Sequence, residues 1–178
     1  MLRHIAWFNE TPIEPSKEGL TSPDAVTCSR CLVPARALEK LGVECSVFGN
    51  LEDADPAQVG KHLQKLSSDI VVIGRITSPS LVTLARTAKH MGCYLVADFG
   101  NAAKLSPDHI KLAEIADQLV VGTAETAAIL LKETNIAALI IPDCDEKSAE
   151  ATAHLWMEGF KNLKLKPPAC ANTNVPVA

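Results

Sequence analysis

The sequence predicts a doubly wound α/β fold, a mostly parallel six-stranded Rossmann-like sheet in the order 3-2-1-4-5-6. Three observations predict it. Short apolar runs alternate six times with amphipathic stretches along the 178 residues. Hydrophobic residues make up 47% of the chain and aromatics only 4%, so Val, Ile, Leu and Ala must build the core. That mix suits parallel strands covered by helices on both faces. Most of the amphipathic stretches also carry a helix start or stop signal. A chain of this length favours one domain, and it can bury roughly two-thirds of its unfolded surface without staples. The domain is expected over 1–166, with the Pro- and Asn-rich segment 167–178 as a tail or the start of a linker.

The strands are read as His4–Asn9, Glu44–Gly49, Asp69–Gly74, Tyr94–Phe99, Gln118–Thr123 and Ala137–Ile141. The run DIVVIG is the cleanest, β-branched and closed by Gly74. Between the strands lie helical patterns. Cys31–Leu41 places Leu32, Ala35, Leu38 and Leu41 on one stripe, with Pro34 in its first turn and Gly42 as its C-cap. Pro56–Leu66 opens behind Asp55, a natural N-cap. Ser80–Met91 ends at Gly92, and Ser106-Pro107 opens a helix through Ala116. Glu125–Glu133 and Asp145–Lys161 complete the set. One connection is abnormal: Glu10–Thr27 contains Pro12, Pro15 and Pro23 without periodicity, and a loop this long is usually functional or mobile.

The formal net charge of −4 leaves no basic excess to displace counterions, so nucleic acid is not an expected partner. The apolar runs fall far short of the ~20 residues a bilayer span needs, so no transmembrane segment and a cytoplasmic setting are expected. The six cysteines are scattered, and reduced thiols are the default in that setting. No G-x-G-x-x-G follows the first strand, no G-x-x-x-x-G-K-[ST] occurs, and no G-x-S-x-G elbow exists. The five histidines form no H-x-x-x-H pair. Neither a cofactor nor a metal is implied.

Ligands of open α/β sheets bind beyond the carboxyl ends of the strands, where the strand order reverses. With the predicted order, that point lies between the first and fourth strands. Glu10, Ser29, Arg30, Asp98, Asn101 and Lys104 converge there, with Gly74 and Arg75 from strand three and Thr123 and Glu125 from strand five. Each has a plain structural alternative: Arg30 pairing with a nearby acid, Asp98 capping a local turn, Arg75 solvated.

The segment TCSRC holds a C-x-x-C, Cys28 and Cys31. A zinc site needs a second ligand pair, which is missing. A redox pair opening a helix stays open beside a packing role, in which Cys31 is a small hydrophobe on the apolar stripe.

The stretch CSRCLVPARALEKLGVECSVFG resembles the segment after the first strand of the two-lobed, B-type glycosyltransferases of the retaining, family-4-like group. There a Ser-Arg pair precedes a P-A-x-A-L-x-x-L-G helix. The stretches DIVVIGRITSPSLVTLARTAKHMGCYLVADF and ADQLVVGTAETAAILLKETNIAALIIPDCDE are similar to later parts of that lobe. The resemblance covers about 3–145 and implies an N-terminal, acceptor-side lobe, incomplete or inactive alone. It implies a sugar or nucleotide-sugar ligand and a second lobe or partner subunit to supply the donor site. Two positions depart from the pattern: the acidic cluster after strand four is reduced to Asp98, and Pro142-Asp143 replaces Pro-Asn. The alternative expectation is a non-catalytic module that binds a small ligand or a protein partner.

Overall fold

Six of the short apolar runs become one sheet. A computed structural model describes residues 4–17, 19–50, 55–74 and 79–161. β1 (His4–Asn9) is followed by a small antiparallel hairpin, β2 (Glu14–Ser16) and β3 (Gly19–Thr21). A continuous helical run comes next: α1 (Ala25–Thr27), a π-helical segment (Cys28–Leu32) and α2 (Val33–Lys40). Then follow β4 (Glu44–Phe48), α3 (Pro56–Leu66), β5 (Ile70–Gly74), α4 (Pro79–His90), β6 (Tyr94–Asp98) and α5 (Pro107–Ile115). The chain continues as β7 (Gln118–Val121), α6 (Ala124–Thr134), β8 (Ala138–Ile140) and α7 (Ala149–Lys161).

The large sheet is parallel throughout, in the order β4-β1-β5-β6-β7-β8. Counted by its six strands alone, that is 2-1-3-4-5-6 and not 3-2-1-4-5-6. Right-handed crossovers permit either order, so alternation could not choose. Burial chooses. β4 is the most polar strand, with Glu44 exposed and the rest half-buried, and it serves as an edge. Ile70–Ile73 of β5 are fully buried and belong in the interior, beside β1.

Reversing direction after β4 puts helices on both faces. α3, α4, α5 and α6 cover one face, packing Leu63, Leu81, Leu84, Leu112 and Leu130 against Phe8, Ile73 and Leu95. The π segment, α2 and α7 cover the other, around Trp7, Leu38, Val72 and Trp156. The Trp7 and Trp156 rings meet edge to face with centroids 5.0 Å apart. Such a pair adds about 0.5–1.5 kcal/mol beyond its buried area. Among the described residues, no helix is long and apolar enough to cross a membrane.

Helix ends follow their signals. Gly42 and Gly92 take φ of +83° and +82°, and Val43 N and Cys93 N bond back to the Leu38 and Ala88 carbonyls. The Asp55 carboxylate accepts from Ala57 N. α7 begins at Ala149 and not at Asp145, because Asp145 Oδ1 accepts from Lys147 N and Ser148 N and ties the preceding residues into a turn. The long connection after β1 is not structureless: the β2–β3 hairpin fills it, and Asp24 caps α1 by accepting from Thr27 N at 2.8 Å.

At the amino end of β1, His4 is buried between Ser68 Oγ and Ser46 Oγ, each 2.9 Å from a ring nitrogen. Burial pushes its pKa below the usual imidazole value, with Glu44 and Asp69 pulling weakly the other way. The fold therefore favours neutral His4. Its contribution is fully present above the unfolded value near 6.5 and is lost as pH falls toward the lower folded value. Urea unfolding between pH 7.5 and 5.5 will show stability falling with pH, and His4→Gln will flatten that dependence.

Candidate functional site

The carboxyl ends of three neighbouring strands form one register row. Asn9 of β1 lies opposite Gly74 of β5, and Gly74 lies opposite Asp98 of β6. The middle position has no side chain. The row spans two inter-strand steps, roughly 10 Å, and opens a slot between Asn9 and Asp98. A cavity of about 300 Å³ occupies it, lined by Trp7 and Val72 below, Asn9 and Asp98 at the sides, and Thr27, Arg30 and Cys31 from the helical run. Phe99, Gly100, Asn101 and His109 close the far wall. The reversal of strand order thus sits between the first and third strands, at β1 and β5, and not between the first and fourth.

Arg30 holds the wall together. It is 7% exposed. Its Nε and Nη2 donate to Asp98 at 2.9 and 2.7 Å, a side-on bidentate pair. Its Nη1 donates to the Ile141 carbonyl and to Asp143 Oδ1, both at 2.8 Å. Burial works against the guanidinium charge, but Asp98 and then Asp143 more than offset it, and the pKa rises. Asn101 Nδ2 donates to the second Asp143 oxygen at 3.1 Å. One side chain of the helical run therefore reaches the ends of both β6 and β8.

Two glycines make room for it. Gly100 takes φ of +55°, donates its N–H to Asp98 Oδ1 at 3.0 Å, and would place a Cβ 3.2 Å from Arg30 Cδ. A Cβ on Gly122 would stand 2.0 Å from Asn101 Oδ1 and 3.1 Å from Arg30 Nη1.

The π segment explains how Arg30 gets there. Pro34 has no N–H and cannot bond the carbonyl of Arg30. Val33 N bonds back five residues, to Cys28, widening the turn. This frees the Ser29 carbonyl, which Cys144 satisfies with its backbone N–H at 3.4 Å and its thiol at 3.0 Å. The helical run thus begins at Ala25, six residues before the expected Cys31, and Pro34 stands in the first turn of α2, just beyond the π segment. Such π segments recur at functional sites.

The expected site residues divide. Arg30, Gly74, Asp98 and Asn101 share the cavity. Ser29 does not line it, and its hydroxyl donates to the Val26 carbonyl. Glu10 is buried at the end of β1 but does not line it either. Thr123 caps α6 by accepting from Thr126 N, and Glu125 stands exposed in the first turn of α6. Lys104 is exposed. Arg75 lies outside the described residues. Trp7, Asn9 and His109 line the cavity without having been singled out for it. Asn9 was legible as the last residue of a buried strand. His109 was not, because it enters as the third residue of a capping box: its Nδ1 accepts from Ser106 N at 2.9 Å, which leaves the ring proton on Nε2.

The two cysteines of C-x-x-C are packing groups. Cys31 is buried, accepts from Asn9 Nδ2 at 3.3 Å, and is pushed far up by burial, so its thiolate is disfavoured. Cys28 donates to the Ser22 carbonyl at 3.4 Å. Cys28, Cys31, Cys45 and Cys144 carry free thiols, and no group of three or more His, Cys, Asp or Glu among the described residues could hold a metal ion.

The chain matches no protein-family model and no curated protein. Two solved structures show distant similarity. A cobalamin-binding protein from Desulfitobacterium hafniense DCB-2 aligns at 10% identity and TM-score 0.43, over 76% of this chain and 60% of its own. A de novo designed protein of the Rossmann 2x3 fold aligns at 8% identity and TM-score 0.40, over 96% of this chain and 98% of its own. The chain therefore spans less than two-thirds of the cobalamin-binding protein. The fold itself is an open, doubly wound, Rossmann-like α/β sheet.

Breaking the buried pair strands a charge. Arg30→Met and Asp98→Asn will each cost about 3–5 kcal/mol in denaturant unfolding, and the double variant less than their sum. Arg30→Lys will not restore the loss, because a lysine cannot make the bidentate fork. Gly122→Ala will cost about 1–3 kcal/mol by driving Asn101 off Asp143.

Proposed function

We propose that this chain is a non-catalytic α/β module that binds a small, uncharged and largely apolar molecule in the crevice between β1, β5 and β6. The observation that carries this reading is the register row Asn9–Gly74–Asp98. A glycine at its centre leaves a slot with an apolar floor, and the slot lies where doubly wound sheets take ligands. The charge balance argues for an uncharged occupant. Arg30 already faces Asp98 and Asp143, so the wall offers no unpaired positive charge to a phosphate or carboxylate. The reading carries with it one domain over 1–166, a cytoplasmic setting, and no role for nucleic acid.

The second reading is the acceptor-side lobe of a glycosyltransferase, working with a second lobe or partner subunit. One observation favours it: Ser29-Arg30, the best-preserved local feature of that resemblance, meets the end of the fourth strand, where that group carries its acidic cluster, through the Arg30–Asp98 pair. Against it stands the same pair, since a nucleotide-sugar diphosphate would want a guanidinium not already spent on carboxylates.

Tryptophan emission tests the choice. The chain has two tryptophans, Trp7 in the cavity floor and Trp156 packed on it. Small uncharged aromatics such as phenol and benzamide will quench or shift the emission saturably, and Gly74→Val, which fills the slot, will abolish the response while the protein still melts cooperatively. A rise in Tm with UDP-glucose, together with no saturable response to any uncharged probe, would overturn the proposal in favour of the sugar-transfer lobe.

A further inference from the structure

We infer that the cavity selects its ligand by a neutral donor–acceptor edge, a carboxamide, lactam or ring –NH–C=O– group, with the oxygen on Arg30 Nη2 and the N–H on Asn9 Oδ1. This rests on the crevice being a ligand site, and adds which chemistry it recognises.

The argument is a count of hydrogen-bonding capacity. A guanidinium has five N–H donors. Arg30 uses Nε–H and one Nη2–H on Asp98, and both Nη1–H groups on Ile141 and Asp143. The second Nη2–H has no partner among the described residues. On the opposite side of the slot, Asn9 donates Nδ2 to Cys31 Sγ, and its Oδ1 accepts from no described residue. Asn9 is 3% exposed. The Oδ1 instead faces Gly74, where a Cβ would sit 3.2 Å away. Both side chains are more than nine-tenths buried, and both line the cavity. The second Nη2–H of Arg30 on one side, and Oδ1 with the second Nδ2–H of Asn9 on the other, thus flank a slot with an apolar floor.

Charge then excludes the isosteres. A carboxylate could accept from Arg30 and from the second Nδ2–H of Asn9, but it would leave Asn9 Oδ1 without a donor. It would also bring a third negative charge to a cation that already serves Asp98 and Asp143. An amidinium would set its N–H groups against the Arg30 donor. Asp98 already has its charge paired with Arg30: its Oδ1 accepts from Nη2 and from Gly100 N and its Oδ2 from Nε. An amide satisfies both walls and adds no charge. Leaving a buried polar group unpaired costs more than a made bond gains, so the preference should exceed tenfold in affinity.

Benzamide, benzoate, benzamidine and phenol share a ring and differ in the polar edge. Titrated into the wild-type chain and followed by tryptophan emission, benzamide is expected to bind at least tenfold tighter than benzoate and benzamidine, and tighter than phenol. In ¹H–¹⁵N spectra it will shift the Asn9 side-chain amide and the Arg30 Nε–Hε resonance. Asn9→Leu will remove the preference for benzamide over phenol while phenol still binds, and Asn9→Asp will turn it toward benzamidine. Phenol or benzoate binding as tightly as benzamide in the wild type overturns the edge-selection inference and leaves the crevice as a site. No saturable binding of any of the four overturns both. The wild-type series decides the matter even where a variant fails to fold.

Discussion

The Arg30–Asp98 ion pair is the contact on which the carboxyl edge of this sheet depends. It joins the helical run after β1 to the end of β6, and through Nη1 it also holds the segment after β8. These pieces are 68 and more than 110 residues apart in the chain. A buried ion pair is not by itself a source of large net stability, because desolvation offsets its attraction. Its value is geometric. With Asp98 accepting from Nε and Nη2, the guanidinium plane has one orientation, and the surrounding backbone must conform to it. Gly100 and Gly122 are the marks of that conformity, since a side chain at either would press on Arg30 or on its neighbour Asn101.

The π segment and Pro34 belong to the same constraint. An unbroken α-helix from Ala25 would need the Pro34 N–H that does not exist. The widened turn resolves the conflict and leaves the Ser29 carbonyl open, and Cys144 from the segment after β8 closes it. Four bonds, two from the Arg30 side chain and two to the Ser29 carbonyl, therefore tie the CSRCL segment to residues 141–144. The conspicuous cysteines take part as packing and weak hydrogen-bonding groups, and the chemistry lies with the arginine between them.

How much of this was legible follows from what each signal measures. Strand and helix positions follow local periodicity, so α3 falls on Pro56–Leu66 and β1 on His4–Asn9 as expected. The start of the helix that carries Arg30 was hidden, because a proline normally marks a first turn and here sits beyond a π turn. The strand order was hidden too, although the polar ECSVF of β4 was a readable mark of an edge. Arg30, Gly74, Asp98 and Asn101 were expected to converge and share the cavity, because strand ends of this fold class point to one crevice whatever the order. Thr123 and Glu125 were expected with them, but the α6 N-terminus uses the first for its cap and leaves the second in solvent.

By itself the sequence determined the class of fold, six parallel strands with intervening helices, since alternation of apolar runs and amphipathic stretches is a local property that each segment carries alone. It also placed an arginine and an aspartate where they could converge on one crevice. Only the tertiary structure decided that β5 and not β4 lies inside, beside β1. That choice set Asn9, Gly74 and Asp98 in one row and opened the slot between them. The reason is physical: register between strands is set by which faces must be buried against distant helices, and no residue's local preference reports on a partner 65 or more positions away.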